Sequence, residues 1–208
     1  HLDLVTIPHK QGRTDIQALM DQIDEHTAAV VVQNPNFFGC INDFTSLFAK
    51  ARENGALSII SVYALMQSVL KTPGQMGADI AVAEGQSLGL PLSFGGPYLG
   101  IMTCKGKLIR QMPGRIVGKT VDKDGREGYV LTLQAREQHI RRQKATSNIC
   151  SNQSLCALQS LVYVSLLGPE GLKRTAHACI ELAHYAAQKL TSINGITILN
   201  DQPFANEF

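Results

Sequence analysis

The sequence alternates short apolar runs rich in β-branched residues with longer amphipathic stretches. Runs of strand length occur at residues 28–32, 57–62 and 78–83, and stretches of helix length separate them. This alternation is typical of βαβ units, in which helices connect parallel strands and cover the faces of the sheet. The sequence therefore predicts an α/β fold with a mainly parallel sheet.

The same pattern predicts the rest of the domain organisation. Further predicted elements are strands at 4–7, 99–103 and 196–199, a basic helix near 107–112 and a hairpin around the turn at 122–125. Gly168 and Pro169 then interrupt a long helical pattern, because neither residue readily continues a helix. We therefore expect a large domain over 1–167 and the incomplete beginning of a second domain over 168–208.

Composition and cysteine usage limit the class of protein. The chain is 44% hydrophobic, but its apolar runs are much shorter than the roughly 18 residues that a bilayer span needs. No export signal is visible at its start, so we expect neither a membrane span nor secretion. The five cysteines are scattered without a C-x-x-C pair, which disfavours a disulfide framework or zinc cage and favours the cytoplasm.

The net charge of +2 conceals one basic segment. Residues 105–144 hold eleven Lys and Arg against four Asp and Glu. Such a segment can attract phosphates, carboxylates or an acidic protein, although a solvated face is the simpler alternative. The segment has a single aromatic residue, Tyr129, and no zinc-finger or RNA-binding signature, so a nucleic-acid partner is not expected.

Spacing disfavours three other chemistries. Residues 114–120 resemble a phosphate-binding loop, but only three residues separate the two glycines and Pro113 stands where the first glycine belongs. His177, Glu181 and His184 share a helical stripe that could ligate a metal, yet a solvated flank is the simpler interpretation. The sequence contains no local signature of a serine or cysteine nucleophile.

The most specific feature is a series of motifs in a fixed order. They are Asn-Pro-Asn-Phe-Phe-Gly at 34–39, Met-Gly-Ala-Asp-Ile at 76–80, Gln86 followed by Gly-Gly-Pro at 95–97, Met-Pro-Gly-Arg-Ile-Val-Gly at 112–118, Arg-Glu-Gln-His-Ile-Arg-Arg at 136–142 and Ser-Asn-Ile-Cys at 147–150. In this order and spacing they resemble the glycine cleavage system P-protein family of pyridoxal-phosphate-dependent glycine decarboxylases. The resemblance is greatest to the first subunit, or amino-terminal half, and extends over essentially the whole chain.

The resemblance implies a specific architecture. It is the three-layer, aminotransferase-like large domain of fold-type-I pyridoxal-phosphate enzymes, followed by the start of a small α+β domain. The family's chain is roughly twice this long, so the beginning of the large domain and most of the small one are expected to be missing.

The resemblance also implies where cofactor-binding residues would lie. The catalytic half of the family has a lysine that forms the internal Schiff base and an aspartate that keeps the pyridine nitrogen protonated. Eleven residues before the proline of the Gly-Gly-Pro turn, where the lysine is expected, this chain has Gln86. The aspartate is expected at the end of the strand before Pro73, yet residues 55–75 contain no acidic residue. Both cofactor functions are therefore missing, because glutamine cannot form an imine.

These absences imply a non-catalytic subunit that itself binds no cofactor and no metal. The expected partner is a catalytic second subunit that carries pyridoxal phosphate and joins this chain in a heterotetramer. Glycine would bind at the shared site, and the H-protein would present the lipoyl arm that accepts the aminomethyl group.

Two sets of side chains are candidates for specific roles. An interface or substrate-channel cluster would comprise Arg115, Arg136, His139, Arg141, Arg142 and Asn148. The alternative for this cluster is surface charge and pairing within the chain. Structural turns, in which Gly supplies a positive φ and Pro fixes φ, would comprise Asn34, Pro35, Gly39, Gly95, Gly96 and Pro97.

Two alternatives remain open at this point. One is a self-contained pyridoxal-phosphate aminotransferase or lyase of the same fold that uses another lysine, with Lys71 and Lys105 nearest to the expected position. The other is a structural or binding paralogue that joins no catalytic subunit.

Overall fold

The computed structural model of the chain describes residues 2–145, 153–199 and 202–208. Its contacts divide the chain into two compact units. One consists of His1–Thr103 with Leu155–Phe208, and the other consists of Cys104–Ser154. This division does not test the domain boundary predicted near residue 168, which stays a prediction.

A four-stranded sheet forms the centre of the first unit. The chain begins with a short antiparallel ribbon of β1 (His9–Lys10) and β2 (Arg13–Thr14). The sheet itself contains, in spatial order, β3 (Ala29–Asn34), β4 (Leu57–Tyr63), β5 (Ile80–Glu84) and β6 (Gly100–Cys104). β3 is parallel to β4, and β4 is parallel to β5. The strands predicted at 28–32, 57–62, 78–83 and 99–103 are therefore present within one or two residues.

Helices on the connections cover the sheet. They are α1 (Ile16–Asp21), α2 (Thr45–Glu53) and α3 (Pro73–Met76). Leu47, Phe48 and Ala51 lie at helical spacing on α2 and are fully buried. They belong to one apolar cluster with Val32 of β3 and Ile60 of β4. Burial of a large apolar side chain contributes roughly 2 kcal/mol, so this contact between helix and sheet is the main core of the unit.

An ion pair holds the start of α2 to the segment that follows β4. Lys71 Nζ lies 2.8 Å from Asp43 Oδ2 and donates to Thr45 Oγ1 at 2.7 Å. Asp43 also accepts the backbone N–H of Thr45 at 2.9 Å. Hydrogen bonding from Lys71, followed by that from Thr45, lowers the pKa of the Asp43 carboxyl to about 2.

The second unit is built on a hairpin. A 3₁₀ helix over Gly106–Gln111 precedes β7 (Ile116–Val121), which pairs antiparallel with β8 (Glu127–Thr132), and α4 (Gln138–Arg141) follows. The carboxylate of Asp122 closes the turn by accepting the N–H groups of Asp124 and Arg126 at 2.8 and 2.9 Å. The predicted hairpin is present, and the helix predicted near 107–112 is a 3₁₀ helix.

The last helix, α5 (Ser154–Thr191), is broken at Gly168, where φ is +61°. By length and composition it is a candidate membrane span, with a mean hydropathy of 1.3 in its most apolar window. The half before the break is too short to cross about 30 Å of hydrocarbon at about 1.5 Å per residue. The half after the break carries Glu170, Lys173 and Arg174. A membrane-spanning role for α5 is therefore poorly supported.

Two predicted strands are wrong. Residues 4–7 and residues 196–199 are described and form no strand. Leu4 is 92% exposed and Leu199 is 62% exposed. An extended apolar segment becomes a strand only where a neighbour can pair with its N–H and C=O groups, and neither segment has that neighbour in the described part of the chain.

We expect Lys71→Met to lower the free energy of unfolding at pH 7 by roughly 0.5 kcal/mol, because solvent screens a pair that is this exposed. The pKa of Asp43 is lower in the folded than in the unfolded chain, so the pair stabilises the fold fully above about pH 4. This stabilisation is lost as the pH falls through about 2. The difference between the variant and the wild type, measured by urea unfolding, should shrink between pH 4 and pH 2.

A double-mutant cycle with Asp43→Asn provides the control for this effect. Lys71→Met should cost little in the Asp43→Asn background, where no carboxylate remains. A difference that is independent of pH, or unchanged in that background, would contradict the assignment.

Candidate functional site

Three neighbouring strands end at one edge of the main sheet. The register places Asn34 of β3 opposite Val62 of β4, and Tyr63 of β4 opposite Glu84 of β5. Because these strands are parallel, their carboxyl ends lie together, and ligands of open α/β sheets bind at such an edge. This carboxyl edge is the first candidate site.

Two buried asparagines fix the turn after β3. Asn34 Nδ2 donates to the carbonyl of Asn42, and the N–H of Asn42 donates to Asn34 Oδ1, both at 3.0 Å. Asn34 is 2% exposed and Asn42 is 5% exposed, so each bond satisfies groups that water does not reach. The Asn34–Pro35 peptide bond is cis. The two candidate turn residues Asn34 and Pro35 therefore stand in a rigid structural turn.

The rest of this turn is bonded to the C-terminal segment. Asn36 Oδ1 accepts the N–H groups of Phe38 and Cys40, both at 3.0 Å. The carbonyl of Gly39 accepts the N–H of Ala205 at 3.0 Å. Gly39 has a φ of +74° and comes so close to the carbonyl of Glu207 that a Cβ would overlap it. A residue larger than glycine does not fit at position 39.

A second loop leaves the same edge after β5. Glu84 accepts the N–H of Gln86 at 2.9 Å and that of Leu99 at 3.4 Å. The Gln86 side-chain amide donates to the carbonyl of Pro91 at 3.3 Å. Gln86 is thus held by its own loop, and the carboxylate of Glu84 joins the loop's two ends.

The far part of this loop turns at the two predicted glycines. Gly95 and Gly96 have φ values of +112° and +126°, and the Gly96–Pro97 peptide bond is cis. Gln159 of α5 donates to the carbonyl of Gly89 at 2.7 Å. The loop is therefore folded back and fastened to the first half of α5.

Tyr63 occupies the end of β4, where an aspartate would be needed to hold a pyridine nitrogen. Burial is the main cause that raises the pKa of the Tyr63 phenol, so this group stays neutral at physiological pH. Gln86 offers an amide, which has no free amine to form an imine. The side chains at this edge therefore do not fit pyridoxal phosphate.

The basic segment forms the second candidate site, in which Arg136 is the least exposed of the described candidates. Its side chain is 11% exposed and its guanidinium donates to the carbonyls of Met112 and Gly114, the latter at 2.6 Å. The Glu137 carboxylate lies 3.7 Å from the same guanidinium. Arg136 thus holds the segment before β7 to the turn after β8.

The structure does not place the other basic candidates in a single cluster. Arg115 and His139 line one cavity of about 170 Å³. Arg141 Nε donates to the carbonyl of Ala135 at 3.0 Å, and Arg142 is exposed. Asn148 lies outside the described residues.

His184, which belongs to the helical stripe considered as a metal site, packs against Phe204. His184 stacks on Phe204 with ring centroids 3.9 Å apart, and its Nε2 lies 3.0 Å from the Phe204 carbonyl. Among residues 2–145, 153–199 and 202–208, no group of three or more His, Cys, Asp or Glu side chains could hold a metal.

Sequence reasoning missed three residues that shape the carboxyl edge, namely Asn36, Asn42 and Glu84. Asn36 had a local signal, because an Asn three residues before a Gly is typical of a turn that its own side chain closes. Asn42 and Glu84 had none, since the backbone of Asn42 is bonded by the Asn34 side chain and Glu84 accepts the backbone N–H of Leu99, fifteen residues away.

Comparison with known proteins relates this geometry to a family. Residues 4–207 match the family model described as glycine cleavage system P-protein. The chain is 68% identical to a probable glycine dehydrogenase (decarboxylating) subunit 1 of Oleidesulfovibrio alaskensis, over 100% of this chain and 47% of that protein. The chain spans about half the length of the curated relatives it matches.

Solved structures confirm the fold. A crystal structure of glycine decarboxylase (P-protein) of the glycine cleavage system, in inhibitor-bound form, matches with a TM-score of 0.90 and 46% identity, over 98% of this chain and 46% of that chain. A NifS-like protein from Rickettsia africae matches with a TM-score of 0.61 and 13% identity, over 94% of this chain and 48% of that one. The predicted aminotransferase-like α/β fold is therefore confirmed.

Gly39→Ala and Gly55→Ala form a matched pair, since the two glycines have φ values of +74° and +77°. At Gly55 a Cβ would meet no atom within 4 Å, so we expect only the cost of a left-handed residue, about 1 to 2 kcal/mol. At Gly39 the overlap with Glu207 should add about 1 to 3 kcal/mol. Denaturant unfolding measures both costs.

Proteolysis provides a second readout of the same pair. Gly39→Ala should expose residues 203–207 to cleavage, and Gly55→Ala should not. Equal unfolding costs together with equal cleavage would show that the contact between Gly39 and Glu207 is unimportant.

Proposed function

The chain belongs to the glycine cleavage system P-protein family, and on this basis we propose that it is the non-catalytic subunit of a two-subunit glycine decarboxylase. Pyridoxal phosphate would be held by the second subunit and would supply the electron sink for loss of CO₂ from glycine. The lipoyl disulfide of H-protein would accept the aminomethyl group and be reduced. This chain supports the partner's active site.

The observation that carries the proposal is the composition of the carboxyl edge. Tyr63 and Glu84 face each other at adjacent strand ends, and Gln86 follows two residues later. An amide and a phenol stand where a Schiff-base lysine and a pyridinium aspartate would be required. A chain with this edge can assemble with a cofactor-binding subunit without competing for the cofactor.

Internal bonds give this edge a fixed shape for a partner to contact. The turn after β3 is fastened to residues 203–205, and the loop after β5 is fastened to α5. A preorganised surface loses little conformational entropy on binding. This rigidity supports a role in completing a neighbouring active site.

The second unit provides another argument for assembly. None of the buried apolar residues in the described part of the chain belongs to Cys104–Ser154. Tyr129 is 71% exposed and Val121 is 60% exposed on the hairpin. Two-stranded hairpins are marginally stable in water on their own, so we propose that a protein partner covers this one.

The remaining assignments belong to the same proposal. Arg115, Arg136, His139, Arg141, Arg142 and Asn148 are proposed to contribute to the contact with the catalytic subunit or with an acidic H-protein. The assembly is proposed to be a cytoplasmic heterotetramer, with a second domain beginning near residue 168.

The rival function, a self-contained enzyme, would need a reactive lysine. The Nζ atom of Lys71 lies 2.8 Å from Asp43 Oδ2 and donates to Thr45 Oγ1 at 2.7 Å, so it already has two partners. Lys105 immediately precedes the 3₁₀ helix after β6. The arrangement of Lys71 does not support imine chemistry.

Borohydride reduction in the presence of pyridoxal phosphate tests the proposal on the full-length subunit, alone and with the second subunit. We expect the two subunits to co-purify, and pyridoxyl-lysine to be found by mass spectrometry only in the second one. Lys71→Arg and Lys105→Arg should leave turnover of the assembled enzyme unchanged.

A pyridoxyl group on Lys71 or Lys105, lost together with turnover in the matching arginine variant, would establish the self-contained enzyme instead. Absence of co-purification would favour a structural or binding paralogue.

A further inference from the structure

A cavity of about 170 Å³ lies within the second unit, where β7 begins and β8 ends. It is lined by Arg115, Ile116, Leu131, Thr132, Gln134, Glu137 and His139. A water molecule occupies about 30 Å³ of liquid, so the cavity has room for about five waters or for one small organic acid. All of its lining residues belong to one compact unit.

The polar side chains that line this cavity differ in whether they already make hydrogen bonds within the protein. The Thr132 hydroxyl donates a hydrogen bond to the carbonyl of Ile116 at 2.9 Å. The Gln134 side-chain amide donates one to the carbonyl of Leu131 at 3.3 Å. Arg115 and His139 make no hydrogen bond or ion pair within the described residues. The guanidinium of Arg115 and the ring of His139 therefore line the cavity with donors that no described residue occupies.

The charge around the cavity favours an anion with a single charge. The carboxylate of Glu137 is near the guanidinium of Arg136, which offsets its charge. This leaves Arg115 as the one permanent cation of the lining without a counter-charge in the described residues, and His139 lines the same cavity. A dianion would exceed the single positive charge of Arg115, whereas a carboxylate matches the planar fork of an arginine.

Arg136 also fixes the shape of the cavity. It donates to the carbonyls of Met112 and Gly114, immediately before Arg115, and its neighbour Glu137 is the N-cap of α4. Arg115 and His139 thus extend from segments that Arg136 holds together. The apolar side chains of Ile116 and Leu131 complete the wall.

We propose that this cavity is a carboxylate-binding pocket, in which the Arg115 guanidinium and the His139 ring hold the two oxygens. The carboxylate can come from a free small acid such as glycine, or from an acidic side chain of a protein partner. Only the second source rests on the proposed function, since it presupposes that the carrier protein docks on this subunit.

The test uses the full-length subunit assembled with its catalytic partner. ¹³C-labelled acetate and inorganic phosphate are titrated separately and followed by NMR, and binding of H-protein is measured by calorimetry. The variants are Arg115→Gln and His139→Gln. Arg126→Gln is the matched control, because Arg126 lies at the turn of the same hairpin, outside the cavity.

We expect Arg115→Gln to weaken acetate binding by roughly ten-fold to a hundred-fold, the value of a charged hydrogen-bonding contact. His139→Gln should weaken it less, and Arg126→Gln should leave it unchanged. Such a result identifies a free small acid as the ligand. If acetate does not bind but H-protein binding follows the same order among the variants, an acidic side chain is the source.

Two results would overturn the proposal. One is equal losses of binding in Arg115→Gln and Arg126→Gln, and the other is no loss in Arg115→Gln for either acetate or H-protein, whether or not phosphate binds. Co-purification of the two wild-type subunits and turnover of their assembly test the proposed function independently of this pocket. The acetate titration does not depend on that turnover.

Discussion

The parallel register of β3, β4 and β5 is the constraint on which the rest of the first unit depends. It brings the end of each strand to one edge, so that the turn after Asn34, the phenol of Tyr63 and the loop after Glu84 are neighbours. These groups are far apart in sequence, and only in-register pairing places them together. The burial of α2 on the same strands holds that register, because a slip of one residue would turn the apolar side chains away from the helix.

The carboxyl edge is organised by amides and backbone groups rather than by reactive side chains. The Asn34 side chain makes two hydrogen bonds with the backbone of Asn42, and Glu84 accepts two N–H groups of its own loop. Groups committed to such bonds contribute to stability and are not free for chemistry. A rigid edge with no free amine suits a subunit that shapes a neighbour's active site.

The basic segment divides its cations between two tasks. Arg136 is buried among carbonyls and stabilises the unit, whereas Arg115 and His139 line a cavity and have no side-chain partner among the described residues. Pairing within the chain, one of the two interpretations of this segment from the sequence, therefore applies to Arg136, and a functional surface at Arg115 and His139 stays a proposal. The division follows from burial, which makes an unpaired arginine costly inside the unit and inexpensive at its surface.

The sequence alone was sufficient for the α/β class and the positions of the central strands, because β-branched runs and helical periodicity are local properties. It also determined what the edge lacks, since no arrangement of the chain can supply a lysine at Gln86 or an acid within 55–75. It was wrong about strands at 4–7 and 196–199, where pairing partners decide the outcome. The tertiary structure alone decided which asparagines and arginines are structural and which face a cavity, because their hydrogen-bond partners lie on other elements that only folding brings within reach.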